Sequence, residues 1–180
     1  SRPNILVKTI ISRVEIFKFY PLPRKEINNF LKTLNLDKEL TREELSQILD
    51  FSLGRLGIAK ELAIDRNRIR YYNSLLETVR KIKELSVFEQ FSIAEKLEKE
   101  EKVEDFLFLS EFWFRDLFLE KSRISQISFS SEKEVIEKEA KNFSKEKVKE
   151  IIKEIQKTKN YLLFSNASRL LALENLFLKI

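Results

Sequence analysis

Past Pro23 this chain contains no proline, and its 180 residues hold only two glycines, Gly54 and Gly57. A chain so short of turn residues has few places to reverse direction tightly, and its remaining composition favours helix formers, so a mostly helical fold is expected. The length suits one or two domains with a real core, and 43% of the residues are hydrophobic.

Apolar spacing and start signals divide the chain into segments. Ile27, Phe30, Leu31 and Leu34 fall at helical spacing in a helix from Arg24 to Leu34. Thr41 and Glu44 have the spacing of a capping box, which opens a helix through Leu45, Ile48 and Leu49. A third helix is expected at 56–64, through Ile58, Ala59 and Leu62. Further helices are expected at about 68–84, 87–100, 103–121, 132–142, 144–163 and 166–179, with capping boxes at Ser86–Glu89 and Ser131–Glu134. The helix at 103–121 is apolar nearly all round. Such a helix belongs at the centre of a bundle or at a subunit interface. Val148, Ile151, Ile152 and Ile155 make a single stripe, so their helix should pack by one face. Residues 122–130 read as a serine-rich loop.

The opening differs. Val14 to Phe19 reads as a short strand with apolar residues on both faces, which suits a strand buried in a larger sheet. No second strand of like quality follows. The expectation is therefore that the chain starts within a domain whose sheet lies outside it.

Cysteine and histidine are both absent, which excludes disulfides, thiolate sites, the commonest general base and the usual zinc ligands. No apolar run reaches membrane-spanning length and no leader is visible, so a cytoplasmic protein without a membrane partner is expected. The net charge is +5, from 34 basic and 29 acidic residues closely mixed. The densest basic stretch holds Arg66, Arg68, Arg70, Arg80, Lys81 and Lys83. It reads as a solvated or paired helix face rather than a phosphate track, since no aromatic pattern accompanies it. The carboxylates lie in mixed charge runs without an isolated acid/base pair. No GxxxxGK[ST] loop is present, so no nucleotide is cradled in that way. Gly54-Arg-Leu-Gly57 could hold an anion at a helix start, but a close-packed entry turn is the plainer reading.

Four segments together carry a resemblance. Thr9-Ile-Ile-Ser-Arg-Val is similar to the TIxSRC segment of AAA+ clamp-loader subunits, as in the bacterial DNA polymerase III complex and replication factor C; Val14 replaces the usual cysteine. Leu53 to Leu62 resembles the sensor-2 helix of their lid domain, with Ile58 about where ATP-binding members carry arginine. Phe112-Trp-Phe-Arg-Asp-Leu117 and Asn166 to Leu178 resemble the collar segment and closing helix of the delta-prime branch.

The resemblance implies an all-α fold: a stub of the AAA+ core at 1–20, a three-helix lid at 21–66 and a helical collar at 67–180 that oligomerises. The nucleotide-fold core, with any zinc site in it, would lie outside the chain. The implied function is loading of the sliding clamp on primer-template DNA, within a hetero-pentamer with delta and gamma/tau-type subunits. The implied residues are Arg13, with Ser12, as an arginine finger in trans; Gly54, Gly57 and Ile58 as the sensor-2-like group; and Trp113, Arg115, Asp116, Arg169 and Glu174 at the collar interface. The chain would be an accessory subunit of a DNA polymerase complex with no catalytic site of its own. It would bind no cofactor, and ATP would sit on partner subunits. The alternatives are an ATP-hydrolysing clamp-loader paralogue (gamma or a replication factor C small subunit) and an unrelated helical interaction scaffold.

Overall fold

A computed structural model describes residues 9, 13–15, 17, 20–124, 126–165 and 167–180. Among these the fold is all-helical, with nine α-helices from Arg24 onward. They are α1 (Arg24–Thr33), α2 (Arg42–Ser52), α3 (Leu56–Ile64), α4 (Arg66–Lys81), α5 (Val87–Lys99), α6 (Val103–Lys121), α7 (Lys133–Ala140), α8 (Lys145–Phe164) and α9 (Arg169–Phe177). Short 3₁₀ turns follow α4 at Ile82–Glu84 and precede α7 at Ser130–Glu132.

The starts follow from local chemistry. At α2 the Glu44 amide donates to Thr41 Oγ1 at 3.1 Å and the Thr41 amide donates to Glu44 Oε2 at 2.8 Å. Ser86 and Glu89 close the same reciprocal pair at α5. Single oxygen caps start three more helices: Asp65 at α4, Ser144 at α8 and Ser168 at α9. The expected box at Ser131–Glu134 does not form. Ser131 lies in the 3₁₀ turn, one residue before the α7 N-cap position at Glu132, and its amide donates to Asp50 rather than to Glu134.

No strand occurs among the described residues. Arg13, Val14, Glu15 and Phe17 lie in turn or irregular backbone, and Phe17 is 69% exposed, so the expected strand at 14–19 is corrected for these residues. Without a neighbouring strand the backbone has no ladder to join. Ile16, Lys18 and Phe19 lie outside the described residues.

Helix α6 takes the centre, packing against α4, α5, α7 and α8. That location accounts for most of its apolar circumference, because four neighbours cover it, while Phe108, Phe112 and Arg115 stay partly or fully exposed on the remaining face. Helix α8 lies along it through Val148, Ile151 and Ile155. Helix α9 covers α5 and α8 and sets Phe177 edge-on against Phe106, ring centroids 5.5 Å apart. Helices α1, α2 and α3 pack on one another, and α2 leans on α4 and on the 130–132 turn. Buried side chains run without a break from Ile27 on α1 to Phe177 on α9. Across residue 66 the bridge is aromatic: Phe51 on α2 stacks on Tyr72 of α4 at 5.5 Å and meets the edge of Phe129 at 6.0 Å.

Candidate functional site

The described residues of the Thr9–Val14 segment include Arg13, which is exposed in a turn. Ser12 lies outside the described residues.

Gly54 and Gly57 do different work. Gly54 has φ +82°, and its carbonyl accepts the Leu22 amide at 2.8 Å. A Cβ there would stand 2.4 Å from Pro21 Cβ and 2.9 Å from the Leu22 nitrogen. This glycine lets the segment before α1 run against the end of α2, the close-packed turn rather than an anion cradle. Gly57 sits in the first turn of α3 with nothing within 4 Å of its missing Cβ. Ile58 lines a cleft of about 400 Å³ between α3, α4, α6 and α8, shared with Arg55, Arg68, Phe108, Lys159 and Leu162.

The five residues assigned to an interface separate into two sets. Trp113 and Asp116 are inside this chain's own fold, 1% and 0% exposed. Trp113 packs near Phe129 and donates its indole N–H to Glu139 at 3.2 Å. Asp116 accepts the amides of Ser128 and Phe129 at 2.7 and 2.8 Å, tying the serine-rich loop to α6. These two hold the bundle together and present no surface to a partner. Arg115 and Arg169 are exposed, and Glu174 is half-buried. Arg115 donates to Ser128 Oγ at 2.8 Å, and Arg169 pairs with Glu104 at 3.0 Å. The structure does not bring Arg115, Arg169 and Glu174 into mutual contact through any hydrogen bond or ion pair among the described residues.

Two buried carboxylates organise the polar interior. Asp50, on α2 and 1% exposed, accepts from the amides and hydroxyls of Ser130 and Ser131 and from the Arg24 guanidinium. It therefore joins α1, α2 and the turn before α7. Asp116 is less well compensated. Burial pushes its carboxyl up to about 6 against the pull of the two amides and Arg115. Asp50 was not singled out by sequence pattern, because its partners lie 80 and 81 residues away.

The basic stretch is largely neutralised within the chain. Arg66 lies near Glu44 and Glu39, Arg68 pairs with Glu61, Arg80 with Glu132 and Glu139, and Lys81 with Glu77. Lys83 lies 4.2 Å over the Phe143 ring. That is the paired-face reading. Among the described residues no group of three or more Asp or Glu side chains converges where a metal ion could sit, and no helix is long and apolar enough to cross a membrane.

No protein-family model matches the chain, and no characterised protein matches it.

Proposed function

We propose that this chain is the lid and collar part of a clamp-loader subunit of the delta-prime type, an accessory protein of DNA replication. The observation that carries the reading is the order of parts along the chain. The Ser12-Arg13 motif comes first, then three helices with the Gly54 turn between the second and third, then six helices built around the tryptophan-bearing α6. The four motif segments fall in that order with the spacing of the clamp-loader subunits they resemble. In this reading residues 21–66 are the lid and 67–180 the collar, although one buried cluster runs across both. The surroundings are the cytoplasm, and the partners are delta and gamma/tau-type subunits, the sliding clamp and primer-template DNA. Arg13 is the finger: its permanently charged planar fork suits the phosphate oxygens of ATP held by a neighbouring subunit. The exposure of Arg13 leaves it accessible to such a neighbour.

The test is Arg13→Ala in the intact subunit, reconstituted with its partners and DNA. An arginine finger contributes ~10³–10⁵ in turnover in phosphoryl transfer generally, diluted here by the other ATP sites of the ring. Unchanged assembly with a marked fall in DNA-stimulated ATP hydrolysis is the expected outcome. Full clamp loading by a correctly assembled mutant complex refutes the role.

A second reading is a helical interaction scaffold unrelated to clamp loaders. The interior positions of Trp113 and Asp116 favour it, because the motif residues that narrow the resemblance are ones this bundle needs for its own packing. A chain that binds no clamp-loader subunit supports it.

A further inference from the structure

We propose that the outer face of α6 is a strip for single-stranded nucleic acid, where arginines take phosphates and two phenyl rings take bases. Phe108 and Phe112 stand one helical turn apart with ring centroids 5.0 Å from each other. Phe108 lines the cleft of about 400 Å³, and Phe112 lines a second of about 260 Å³. The Arg55 guanidinium lies 4.3 Å over Phe108, and Arg115 lies 6.0 Å over Phe112. Lys159 is 5.6 Å from the Phe108 centroid, and Arg24 lines the second cleft.

Charge is sorted here by depth. Asp50 lines the second cleft and Asp116 neighbours its Arg115, and both are buried with amides of residues 128–131 on their oxygens. Arg24 and Arg115 beside the second cleft already donate to Asp50 and to Ser128, whereas Arg55 at the first cleft is exposed and keeps unused donors. Arg55 gives only its Nε, weakly, to the Ser52 carbonyl at 3.4 Å. Its two terminal nitrogens have no hydrogen-bond partner among the described residues. Lys159 is paired with Glu111, so its part is packing over the ring rather than free charge. Glu104 and Asp105 also line the first cleft and would repel a phosphate from their side of it. A strand therefore runs from Arg55 toward Arg115.

Arginine stems often shield apolar surface on their own protein. That role covers a ring but calls for no cleft beside each ring and no unfilled guanidinium donors. A nucleotide answers both features. Its base replaces the Arg55 guanidinium on the Phe108 face, and the freed fork takes the adjoining phosphate. An acidic peptide supplies the charge but a planar face only at its aromatic residues. The proposal stands on this geometry and is independent of the clamp-loader reading.

The test uses the 180-residue chain and a fluorescein-labelled oligothymidylate, followed by anisotropy over a range of salt. Binding should weaken linearly in log–log form, and Arg55→Gln or Arg115→Gln should each make the slope shallower by ~0.7. Phe112→Leu, which keeps an apolar side chain, should weaken binding by about fivefold or more with the slope unchanged. Lys149→Gln, on exposed α8 surface, should change neither. Absence of binding at low salt overturns the proposal, as does an equal loss from Lys149→Gln. Competition by polyglutamate as effective as by unlabelled oligonucleotide would also overturn it and assign the strip to an acidic protein partner. Arg55→Gln, at an exposed position, keeps the test decisive should Phe112→Leu misfold.

Discussion

Asp50 and Asp116 are both buried carboxylates, and the difference between their surroundings sets opposite expectations for their removal. Asp50 is met by two amides, two hydroxyls and a guanidinium. Asp50→Ala would leave those donors facing a void, and a loss of about 3 kcal/mol in urea denaturation is expected. Asp116 is held by two amides, yet burial still raises its carboxyl from the ordinary 3.8 to about 6. The folded chain therefore binds the proton more tightly than the unfolded chain between those values. Stability from this group is fullest below pH 3.8 and is lost as pH rises through about 6. Subtracting the pH profile of Asp116→Asn from that of the wild type should leave a stability difference that falls over that window, by about 3 kcal/mol at most. A flat difference would show that the carboxylate is fully compensated. Neither buried role was legible in the sequence: the resemblance marked Asp116 for an interface and nothing marked Asp50, since an aspartate among helix residues looks like any solvated acid until a distant loop folds onto it.

Among the elements, the helices were legible and the contacts that override local signals were not. The boxes at Thr41–Glu44 and Ser86–Glu89 form because both partners lie within one turn and nothing else competes for them. Ser131 carries the same pattern, but Asp50 claims it from another helix. The strand pattern at 14–19 had no partner strand to make it real among the described residues. The two glycines separate local from tertiary demands in one experiment. Gly54→Ala places a Cβ against Pro21 at a positive φ, so a loss of at least ~2 kcal/mol is expected. Gly57→Ala meets nothing and removes a flexible residue from a helix turn, so a gain of about 0.5–1 kcal/mol is expected. Thermal denaturation of the pair checks both signs. Similar losses in the two variants would mean that Gly57 is also held against a neighbour.

For the whole molecule, the scarcity of glycine and proline pointed to a mostly helical chain, and the apolar circumference of α6 pointed to a bundle centre or a subunit interface, of which its packing against four helices shows the first. The aromatic bridge of Phe51, Tyr72 and Phe129 was not announced, because its members lie on segments far apart in sequence. That bridge makes residues 21–66 and 67–180 share buried surface, so unfolding should be cooperative. Fluorescence of Trp113 and far-ultraviolet dichroism, followed together in urea, should give coincident transitions. Separate midpoints would mean that the first three helices melt on their own.

We propose that the folded chain joins a clamp-loader ring. Sedimentation velocity of the 180-residue chain, alone and mixed with delta and gamma-type subunits, tests it most directly. The chain is expected to move into a larger species containing both partners, and substitution of the exposed Arg169 should weaken this while leaving the fold intact. A chain that sediments unchanged beside partners able to assemble with an authentic delta-prime subunit would contradict it.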